Sequence, residues 1–192
     1  MADARLNVLG LCGSLRKGSY NRMALRAAIE LVPAGMTIDT IEIGSIPLYN
    51  KDVEDQGFPA PVQALGEKVA AADAVLFVTP EYNYSVPGVL KNAIDWMSRV
   101  PSQPFNGKPV AIMGASQGNI GTARAQYHLR QICVFLNAFP LNRPEVMIAR
   151  AQEKFDKEGR LTDEMTKKFI QQLLVSLAEW TARLRAGESH KM

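Results

Sequence analysis

Residues 74–96 read AVLFV-TPEYNYSVPG-VLKNAIDW, an apolar run followed by a polar loop and an amphipathic pattern. The apolar run 74–78 is long enough for a buried strand. Leu90, Ile94 and Met97 then recur at the i, i+4, i+7 spacing of a helix. Pro87 is expected at the first helical position, where its missing N–H is not needed. A strand, a loop and a helix in this order form the repeating unit of an α/β fold.

The loop between this strand and this helix is dense in aromatic, amide and carboxylate groups. In open α/β sheets, ligands bind outside the carboxyl ends of the strands, which is where this loop would lie. Two tyrosines together with Glu81 and Asn83 favour a site for a planar, hydrogen-bonding ligand. The alternative is an ordinary connection between a strand and a helix.

Apolar strand-like runs alternate with helical patterns along the whole chain. The predicted strands are 6–11, 37–43, 74–78, 110–114 and 145–148. The predicted helices begin near Asn21, Val62, Pro87, Gly121 and Thr162, and the last carries Met165, Phe169, Leu173, Leu177 and Leu184 on one side. Five strands separated by helices predict a parallel sheet covered on both faces. We therefore expect one domain over 1–192, a flavodoxin-like three-layer α/β sandwich with strand order 2-1-3-4-5.

Composition narrows the class of protein. The chain is 47% hydrophobic and 21% charged, as in ordinary globular proteins, and its 192 residues can bury a real core. The net charge of +3 is small and forms no basic stripe, so nucleic acid is not expected as a partner. No apolar stretch approaches the roughly 18 residues of a membrane span, and the N-terminus lacks a signal peptide's apolar core. We therefore expect no membrane segment and a cytoplasmic location.

The loop after the first predicted strand reads GLCGSLRKGSYN over residues 10–21. Glycines let a backbone curl so that its N–H groups point inward, and the following helix N-terminus adds partial positive charge, which together make an anion site. Ser14, Ser19 and Asn21 can donate hydrogen bonds, and Arg16 can pair with a phosphate. The alternative is a polar turn that only caps the helix.

The spacing within this loop indicates which class of phosphate-containing ligand it suits. Gly13 and Gly18 have the spacing of a P-loop, but Ser19 stands where that motif has lysine. Because no aspartate suited to Mg²⁺ is evident either, nucleotide hydrolysis is not expected. The dinucleotide fingerprint G-x-G-x-x-G is also missing. A single terminal phosphate, as in a mononucleotide, fits the loop better.

A third loop, GASQGNIG over residues 114–121, follows the fourth predicted strand. Small residues let a flat ring approach the backbone, and the amides can face its carbonyl edge. A helix N-terminus here would stabilise negative charge on that edge. Judged alone, the loop fits a plain glycine turn equally well. In the order 2-1-3-4-5, however, all three loops are neighbours, and a phosphate site beside two ring-facing loops fits FMN.

Two motifs, GSLRxxSxN from Gly13 to Asn21 and PEYNxSxPxxLKNxxD from Pro80 to Asp95, closely resemble those of the NAD(P)H-dependent FMN reductase family. The nearest branch is that of the bacterial chromate and quinone reductases, and the resemblance covers nearly the whole chain. It implies that the FMN phosphate is held by Ser14, Arg16, Ser19, Tyr20 and Asn21. It implies that the ring is lined by Pro80, Glu81, Tyr82, Asn83 and Tyr84, with Ser116, Gln117 and Gly118 on its far edge. It also implies a homodimer or homotetramer joined at Arg124, Tyr127 and Glu145. The alternative for these three is that they are solvated surface residues with no role in assembly.

These observations predict an enzyme, an FMN-dependent NAD(P)H oxidoreductase in which the cofactor carries the chemistry and no side chain is a nucleophile. Two electrons would pass from NADPH or NADH to quinones in ping-pong order, and by the resemblance also to chromate or azo compounds. One rival is a flavodoxin-like one-electron carrier, which the slightly basic net charge disfavours. Another is an FMN-binding sensor without turnover. No residue pattern distinguishes NADH from NADPH.

The remaining notable side chains are assigned mainly structural roles. Cys12 and Cys133 lie in apolar contexts and are expected to be buried small hydrophobes rather than nucleophiles. The two histidines, His128 and His190, have no triad or metal-ligand spacing, so no metal site is predicted. Trp96 and Trp180 are expected in the core or at an interface. Arg99 could guide an anionic acceptor toward the flavin, and the alternative for it is a surface role.

Overall fold

The computed structural model describes residues 5–188. One parallel sheet contains β1 Leu6–Cys12, β2 Met36–Thr40, β3 Ala74–Val78, β4 Pro109–Ala115, β5 Phe139–Pro140 and β6 Val146–Ile148. The order across the sheet is β2-β1-β3-β4-β5, and β6 also pairs with β4. The predicted parallel sheet and its flavodoxin-like strand order are therefore confirmed.

The strand at the far edge of the sheet is divided in two. β5 pairs with the beginning of β4 at Pro109 and Val110, whereas β6 pairs with its end at 113–115. The sequence predicted β6 but not β5. Proline removes a donor from the ladder and is disfavoured within a strand, so Pro140 gave no strand signal for this segment, which is only two residues long.

The helices are α1 Tyr20–Glu30, α2 Lys51–Glu54, α3 Ala60–Ala71, α4 Gly88–Met97, α5 Ala123–Phe135 and α6 Glu164–Glu188, with a 3-10 turn at Ala151–Glu153. Because successive strand side chains point to opposite faces, the sheet separates two apolar layers. Val75 and Phe77 of β3 belong to the layer under α3, α4 and α5. Leu76 and Val78 belong to the layer under α1 and α6. All five β3 side chains are buried, as predicted for a strand covered on both faces.

The long helix α6 buries only part of the predicted stripe, since Leu173 and Leu177 are buried as predicted but the residues nearer its start are not. Ile170 and Leu174 are fully buried, whereas Met165 and Phe169 are 59% and 43% exposed. The predicted stripe followed steps of four residues, and each such step advances about 40° around a helix of 3.6 residues per turn. The stripe therefore winds off the core face toward the start of the helix. Within residues 5–188, no helix has both the length and the apolar character to cross a membrane.

Helix α4 begins one residue later than predicted. Pro87 is its N-cap residue, with φ −58° and ψ 142°, and Gly88 is the first helical residue. The fixed φ of proline suits either position, so the sequence alone did not separate them. The consequence is that the whole run from Thr79 to Pro87 belongs to the loop at the carboxyl end of β3.

Candidate functional site

The three predicted loops meet at the carboxyl ends of β1, β3 and β4, which are neighbours in the sheet. They surround an open cavity of about 140 Å³. Its lining contains predicted residues from all three loops: Ser14, Arg16, Ser19, Tyr20, Asn21, Pro80, Glu81, Tyr82, Ser116 and Gln117, with Ala115 as the one lining residue not predicted. Asn83, Tyr84 and Gly118 lie in the same loops but do not line this cavity.

The loop after β1 fits a phosphate group. Within the described residues, the backbone N–H groups of residues 14–18 donate no hydrogen bond. The side chain of Ser14 is buried beside the cavity, and its hydroxyl likewise has no partner among residues 5–188. Arg16 is exposed at the rim and makes no ion pair in that range. Unsatisfied N–H donors, a hydroxyl and a guanidinium form the donor set that a phosphate dianion requires.

Ser19 has the capping role that was the alternative interpretation of this loop. It is the N-cap residue of α1, and its hydroxyl oxygen accepts a hydrogen bond from the Asn21 N–H at 3.2 Å. Because the oxygen accepts, the hydroxyl hydrogen remains free to donate toward the cavity. Capping and anion binding are therefore compatible at Ser19. Tyr20, the next lining residue, packs its ring against Phe155 at 5.8 Å between centroids.

Asn21 joins two of the loops. Its side-chain amide donates to the Ala115 carbonyl at 2.9 Å, and its side-chain oxygen accepts from the Ala115 N–H at 2.8 Å. The residue is 3% exposed. This two-point bridge fixes the phosphate loop against the end of β4. One of the two amide hydrogens remains for a ligand, but the main contribution of Asn21 is to hold two walls of the cavity together.

The loop after β3 forms a tight hairpin. Tyr82 and Ser85 exchange backbone hydrogen bonds of 3.1 and 3.0 Å, and the two residues between them, Asn83 and Tyr84, have φ of 49° and 68°. Two positive φ values in succession define a type I′ turn. A bulky residue such as tyrosine rarely adopts this conformation, and such strain concentrates at functional sites. The turn leaves Tyr82, which lines the cavity, 51% exposed, and Tyr84, which does not line it, 64% exposed.

Glu81 lines the cavity, but its carboxylate contacts helix α5. Its carboxylate accepts from the backbone N–H groups of Arg124 at 2.9 Å and Ala125 at 3.1 Å, and it pairs with the Arg124 guanidinium at 2.9 Å. The α5 N-cap residue, Thr122, makes no capping hydrogen bond with its own side chain. Glu81 therefore caps the helix from another loop, in the position where a carboxylate stabilises the helix dipole.

This contact bears on two predictions. Glu81 was expected to line the ring; the residue does line the cavity, but its carboxylate is engaged by α5, with its side chain only 9% exposed. The N-terminus of α5 was expected to stabilise negative charge on the ring edge. Two of its first-turn N–H groups are instead satisfied by Glu81, because a carboxylate reaches these donors across the sheet edge.

Two further contacts hold the hairpin against α5. The Arg124 guanidinium stacks on the Tyr84 ring, 3.7 Å from its centroid. The Ser85 hydroxyl lies 2.9 Å from Nδ1 of His128. Cation–π stacking and a side-chain hydrogen bond thus support a strained turn from one side. The side chains of Arg124 and His128 thus both have partners in the hairpin. His190 lies outside the described residues.

The loop after β4 presents backbone donors. The Ser116 hydroxyl donates to the Gly121 carbonyl at 2.5 Å, so it stabilises the loop itself. The loop is also held from β6, since the Ser116 N–H donates to Ile148 and the Arg150 N–H donates to Gly118, both at 3.0 Å. Within residues 5–188, the N–H groups of Gln117 and Gly118 make no hydrogen bond. These two donors suit the carbonyl edge of a planar ligand.

The structure does not bring Arg99 into the site. Because β3 and β4 are parallel, α4 must return the chain to the opposite edge of the sheet, and Arg99 follows its C-terminal end. There its guanidinium lies over the Tyr49 ring, 5.5 Å from the centroid. Arg99 is exposed and does not line the cavity.

Tyr127 and Glu145 are neighbours outside the cavity. A hydrogen bond to the Glu145 carboxylate raises the pKa of the Tyr127 phenol, and Tyr127 is 54% exposed. On the same helix, Val134 and Phe135 are 79% and 80% exposed. Tyr127 and Val134 are seven positions apart and so lie on one face of α5.

Neither cysteine has the character of a nucleophile. Burial raises the pKa of Cys133 to about 12 and also raises the pKa of Cys12, so both thiols are neutral. Cys133 is fully buried as predicted, but Cys12 is only half-buried and borders a second cleft. Trp96 is buried, with its indole N–H donating to Pro47, whereas Trp180 is half-buried and donates to Phe139.

The sheet order, the three loops at its carboxyl edge and the phosphate cradle define a flavodoxin-like flavin-binding protein. The profile of the family described as NADPH-dependent FMN reductase matches residues 6–153. The chain belongs to that family. The class predicted from the sequence, an oxidoreductase with FMN as cofactor and NAD(P)H as donor, is thereby confirmed.

Individual relatives match along nearly their full length. The chain is 61% identical over 180 residues to an NAD(P)H-dependent FMN reductase of Pseudomonas aeruginosa, covering 94% of this chain and 97% of that protein. It is 50% identical over 184 residues to a quinone reductase of Escherichia coli, covering 94% and 98%. Among solved structures, it is similar to FerB, a flavoenzyme NAD(P)H:(acceptor) oxidoreductase from Paracoccus denitrificans, with 36% identity, a TM-score of 0.84, and coverage of 93% and 98%.

Proposed function

We propose that this protein transfers two electrons from NADPH or NADH, through bound FMN, to quinones at one shared site. The observation that carries the proposal is the loop after β1, whose free N–H donors at 14–18 lie beside the buried Ser14 hydroxyl and Arg16. The acceptor class is supported by the relatives, of which one from Escherichia coli is a quinone reductase and one from Solanum tuberosum is an NAD(P)H:quinone oxidoreductase.

The residues divide into a phosphate end and a ring end. Ser14, Arg16, Ser19, Tyr20 and Asn21 would surround the FMN phosphate, with Asn21 acting mainly as a brace. Pro80, Tyr82, Asn83 and Tyr84 would face the ring, and Gln117 and Gly118 would donate to its carbonyl edge. The cavity of about 140 Å³ is smaller than the 300 Å³ or more of typical ligand pockets, so it suits the phosphate end. The planar ring would lie toward the open mouth.

FMN supplies hydride acceptance and two-electron donation, and the protein supplies position and access. The half-exposed Tyr82 and Tyr84 leave the mouth open to planar molecules. A nicotinamide and a quinone would use this opening in turn, which predicts ping-pong kinetics. Chromate and azo compounds are proposed as further acceptors, because an open mouth selects weakly by shape.

We further propose a homodimer or homotetramer in the cytoplasm, joined through Arg124, Tyr127 and Glu145. The exposed Val134 and Phe135 extend the same helix with apolar surface, which supports contact between protein subunits on this side. Sedimentation of the FMN-loaded protein and of a Tyr127→Ala variant tests this assembly. A wild-type protein that sediments as a monomer at micromolar concentration contradicts it.

The reaction is tested by anaerobic titration of the FMN-loaded protein with NADPH and, separately, NADH. We expect the flavin absorbance to bleach directly with one equivalent of donor and to return when a benzoquinone is added. Initial rates at several fixed quinone concentrations should give the parallel double-reciprocal lines of a ping-pong reaction. A flavin that neither nucleotide bleaches would contradict the reductase and favour the electron carrier or the sensor.

A further inference from the structure

A second cleft, of about 530 Å³, lies on the other side of the phosphate loop, between α1 and the end of β2. We call it the α1–β2 cleft, and its walls contain Leu15, Lys17, Leu25, Arg26, Ile29 and Ile41. Its volume falls within the range of about 300–1,000 Å³ that small-molecule sites occupy. Like the candidate FMN cavity, it opens at the carboxyl edge of the sheet, where ligands of α/β folds bind.

Residues 14–17 of one loop alternate between lining the two cavities. Ser14 and Arg16 line the candidate FMN cavity, whereas Leu15 and Lys17 line the α1–β2 cleft. Arg22 connects the two sides, because it lines the cleft and its Nε donates to the Ser14 carbonyl at 3.2 Å. A molecule in the cleft therefore lies one loop away from the flavin phosphate.

The cleft combines an apolar wall with unpaired positive charge. Leu15 and Ile29 are 50% and 38% exposed, so a bound molecule would cover apolar surface that now faces solvent. Within residues 5–188, Lys17 and Arg26 have no hydrogen-bond or ion-pair partner. The third cation, Arg22, is already neutralised by Glu42 through two contacts of 2.5 Å. The two free cations favour an anionic group, and arginine suits phosphate in particular.

We propose that the α1–β2 cleft binds the adenosine end of the NAD(P)H donor, with its base against Leu15 and Ile29 and its phosphates at Lys17 and Arg26. This inference rests on the proposed function, which requires a dinucleotide whose nicotinamide reaches the flavin ring. The other half of that dinucleotide carries a flat apolar base and several phosphates, which match the two surfaces of the cleft. A phosphate on the ribose would add charge at Lys17 and Arg26, so the cleft favours NADPH over NADH.

The test uses the FMN-loaded protein and adenosine 2′,5′-bisphosphate as the probe, with binding measured by titration calorimetry. We expect the probe to bind, to compete with NADPH, and to bind more tightly than adenosine 5′-monophosphate. The double variant Lys17→Ala/Arg26→Ala should weaken probe binding about tenfold and raise KM for NADPH more than KM for NADH. FMN content and turnover at saturating donor should not change.

Two further variants distinguish a specific binding site in the cleft from non-specific electrostatic attraction. Lys168→Ala/Arg183→Ala removes the same charge from exposed positions on α6 and should leave probe binding unchanged. Ile29→Trp fills the cleft without changing charge and should weaken binding by a similar factor. The proposal is overturned if the cleft variants bind the probe as the wild type does, or if the α6 variant loses as much affinity.

The failure of this inference differs from the failure of the proposed function. Probe binding is measured without turnover, so it reports on the cleft even when no electrons move. If NADPH does not bleach the flavin but the probe still binds at Lys17 and Arg26, the cleft assignment stands and the reductase does not. If NADPH bleaches the flavin and the probe does not bind, the reductase stands and the cleft assignment is overturned.

Discussion

The Glu81 carboxylate accepts the backbone N–H of Arg124 at 2.9 Å while pairing with its guanidinium at 2.9 Å, across 43 residues of sequence. One side chain thus caps helix α5 and positions the loop after β3. Arg124 in turn stacks on Tyr84, whose φ of 68° is unfavourable for a bulky residue. The strained turn at the cavity mouth therefore depends on a helix that is not its neighbour in sequence.

We expect Glu81→Ala to lower the free energy of unfolding by about 1–3 kcal/mol, because two N–H donors and a guanidinium lose their acceptor. FMN affinity should fall as well, since the hairpin loses its link to α5. Urea unfolding of the flavin-free protein and fluorescence titration with FMN measure the two effects separately.

Glu81→Gln is the control for this prediction. The amide keeps an oxygen that can accept from the helix N–H groups but loses its charge, so the loss of stability should be less than half that of alanine. Equal losses in the two variants would show that charge, rather than capping geometry, dominates. No loss in either variant would contradict the capping role.

The sheet and the positions of the loops could be predicted because they follow from local patterns. The run 74–78 was predicted with its observed bounds, since five consecutive apolar residues between polar segments have few alternatives. The glycine-rich loops were identified because glycine marks where a backbone must curl. The tendency of consecutive βα units to form a parallel sheet then brought these loops to one edge.

The connections between the loops could not be predicted. Asn21 and Ala115 are 94 residues apart, and no local pattern shows that an asparagine will bridge a distant backbone. Glu81 was placed in the site correctly, but the direction of its side chain depends on the unsatisfied α5 N-terminus, which is a tertiary feature. The α1–β2 cleft was missed for the same reason, because its walls come from three separate segments of the chain.

Replacing Asn21 with leucine should destabilise the protein by about 2–4 kcal/mol, since the Ala115 N–H and carbonyl would both be left buried without partners. Asn21→Asp restores an acceptor for the N–H but places a carboxylate against the Ala115 carbonyl, so it should rescue little. Thermal unfolding measures both variants. An aspartate variant as stable as the wild type would mean that the carbonyl contact contributes nothing.

Arg16→Ala should weaken FMN binding about tenfold to a hundredfold, because a charge-assisted contact to phosphate contributes about 1.5–3 kcal/mol. The matched control is Lys17→Ala, which removes the same charge from the next residue, on the side of the α1–β2 cleft. FMN fluorescence titration should show a large effect for the first variant and a small one for the second. Equal effects would mean that Arg16 acts through the overall positive charge of the loop rather than through a direct contact with the phosphate.

The stability that Asp163 contributes at the start of α6 should depend on pH. Asp163 accepts from the Thr166 hydroxyl and from its backbone N–H at 2.8 Å, and these hydrogen bonds lower the pKa of Asp163. A carboxyl whose pKa is lower in the folded state stabilises the fold above its unfolded pKa of about 3.9, and this contribution is lost as pH falls through the folded value.

Asp163→Asn retains a neutral cap whose strength does not change with pH. The variant should therefore be less stable than the wild type at pH 7, and the difference should shrink as the pH falls below about 4. Urea unfolding at several pH values, at equal FMN loading, measures this difference. A gap that stays constant down to about pH 2 would contradict the role of the charged cap.

Gly114 should tolerate no side chain. A Cβ at this position would lie 2.1 Å from both the Thr122 hydroxyl oxygen and the Thr79 carbonyl oxygen, where β4 passes the loops of the site. Gly114→Ala should lower the free energy of unfolding by about 3 kcal/mol or more, because the Thr79 backbone cannot move without disturbing the loop after β3.

Gly88→Ala is the matched control, since a Cβ there meets nothing within 4 Å and Gly88 is the first residue of α4. It should stabilise the protein by about 0.4–1 kcal/mol through the lower entropy of the unfolded chain. Thermal unfolding should therefore move in opposite directions for these two substitutions, and a Gly114→Ala variant of wild-type stability would contradict the packing of Thr79 and Thr122 around this glycine.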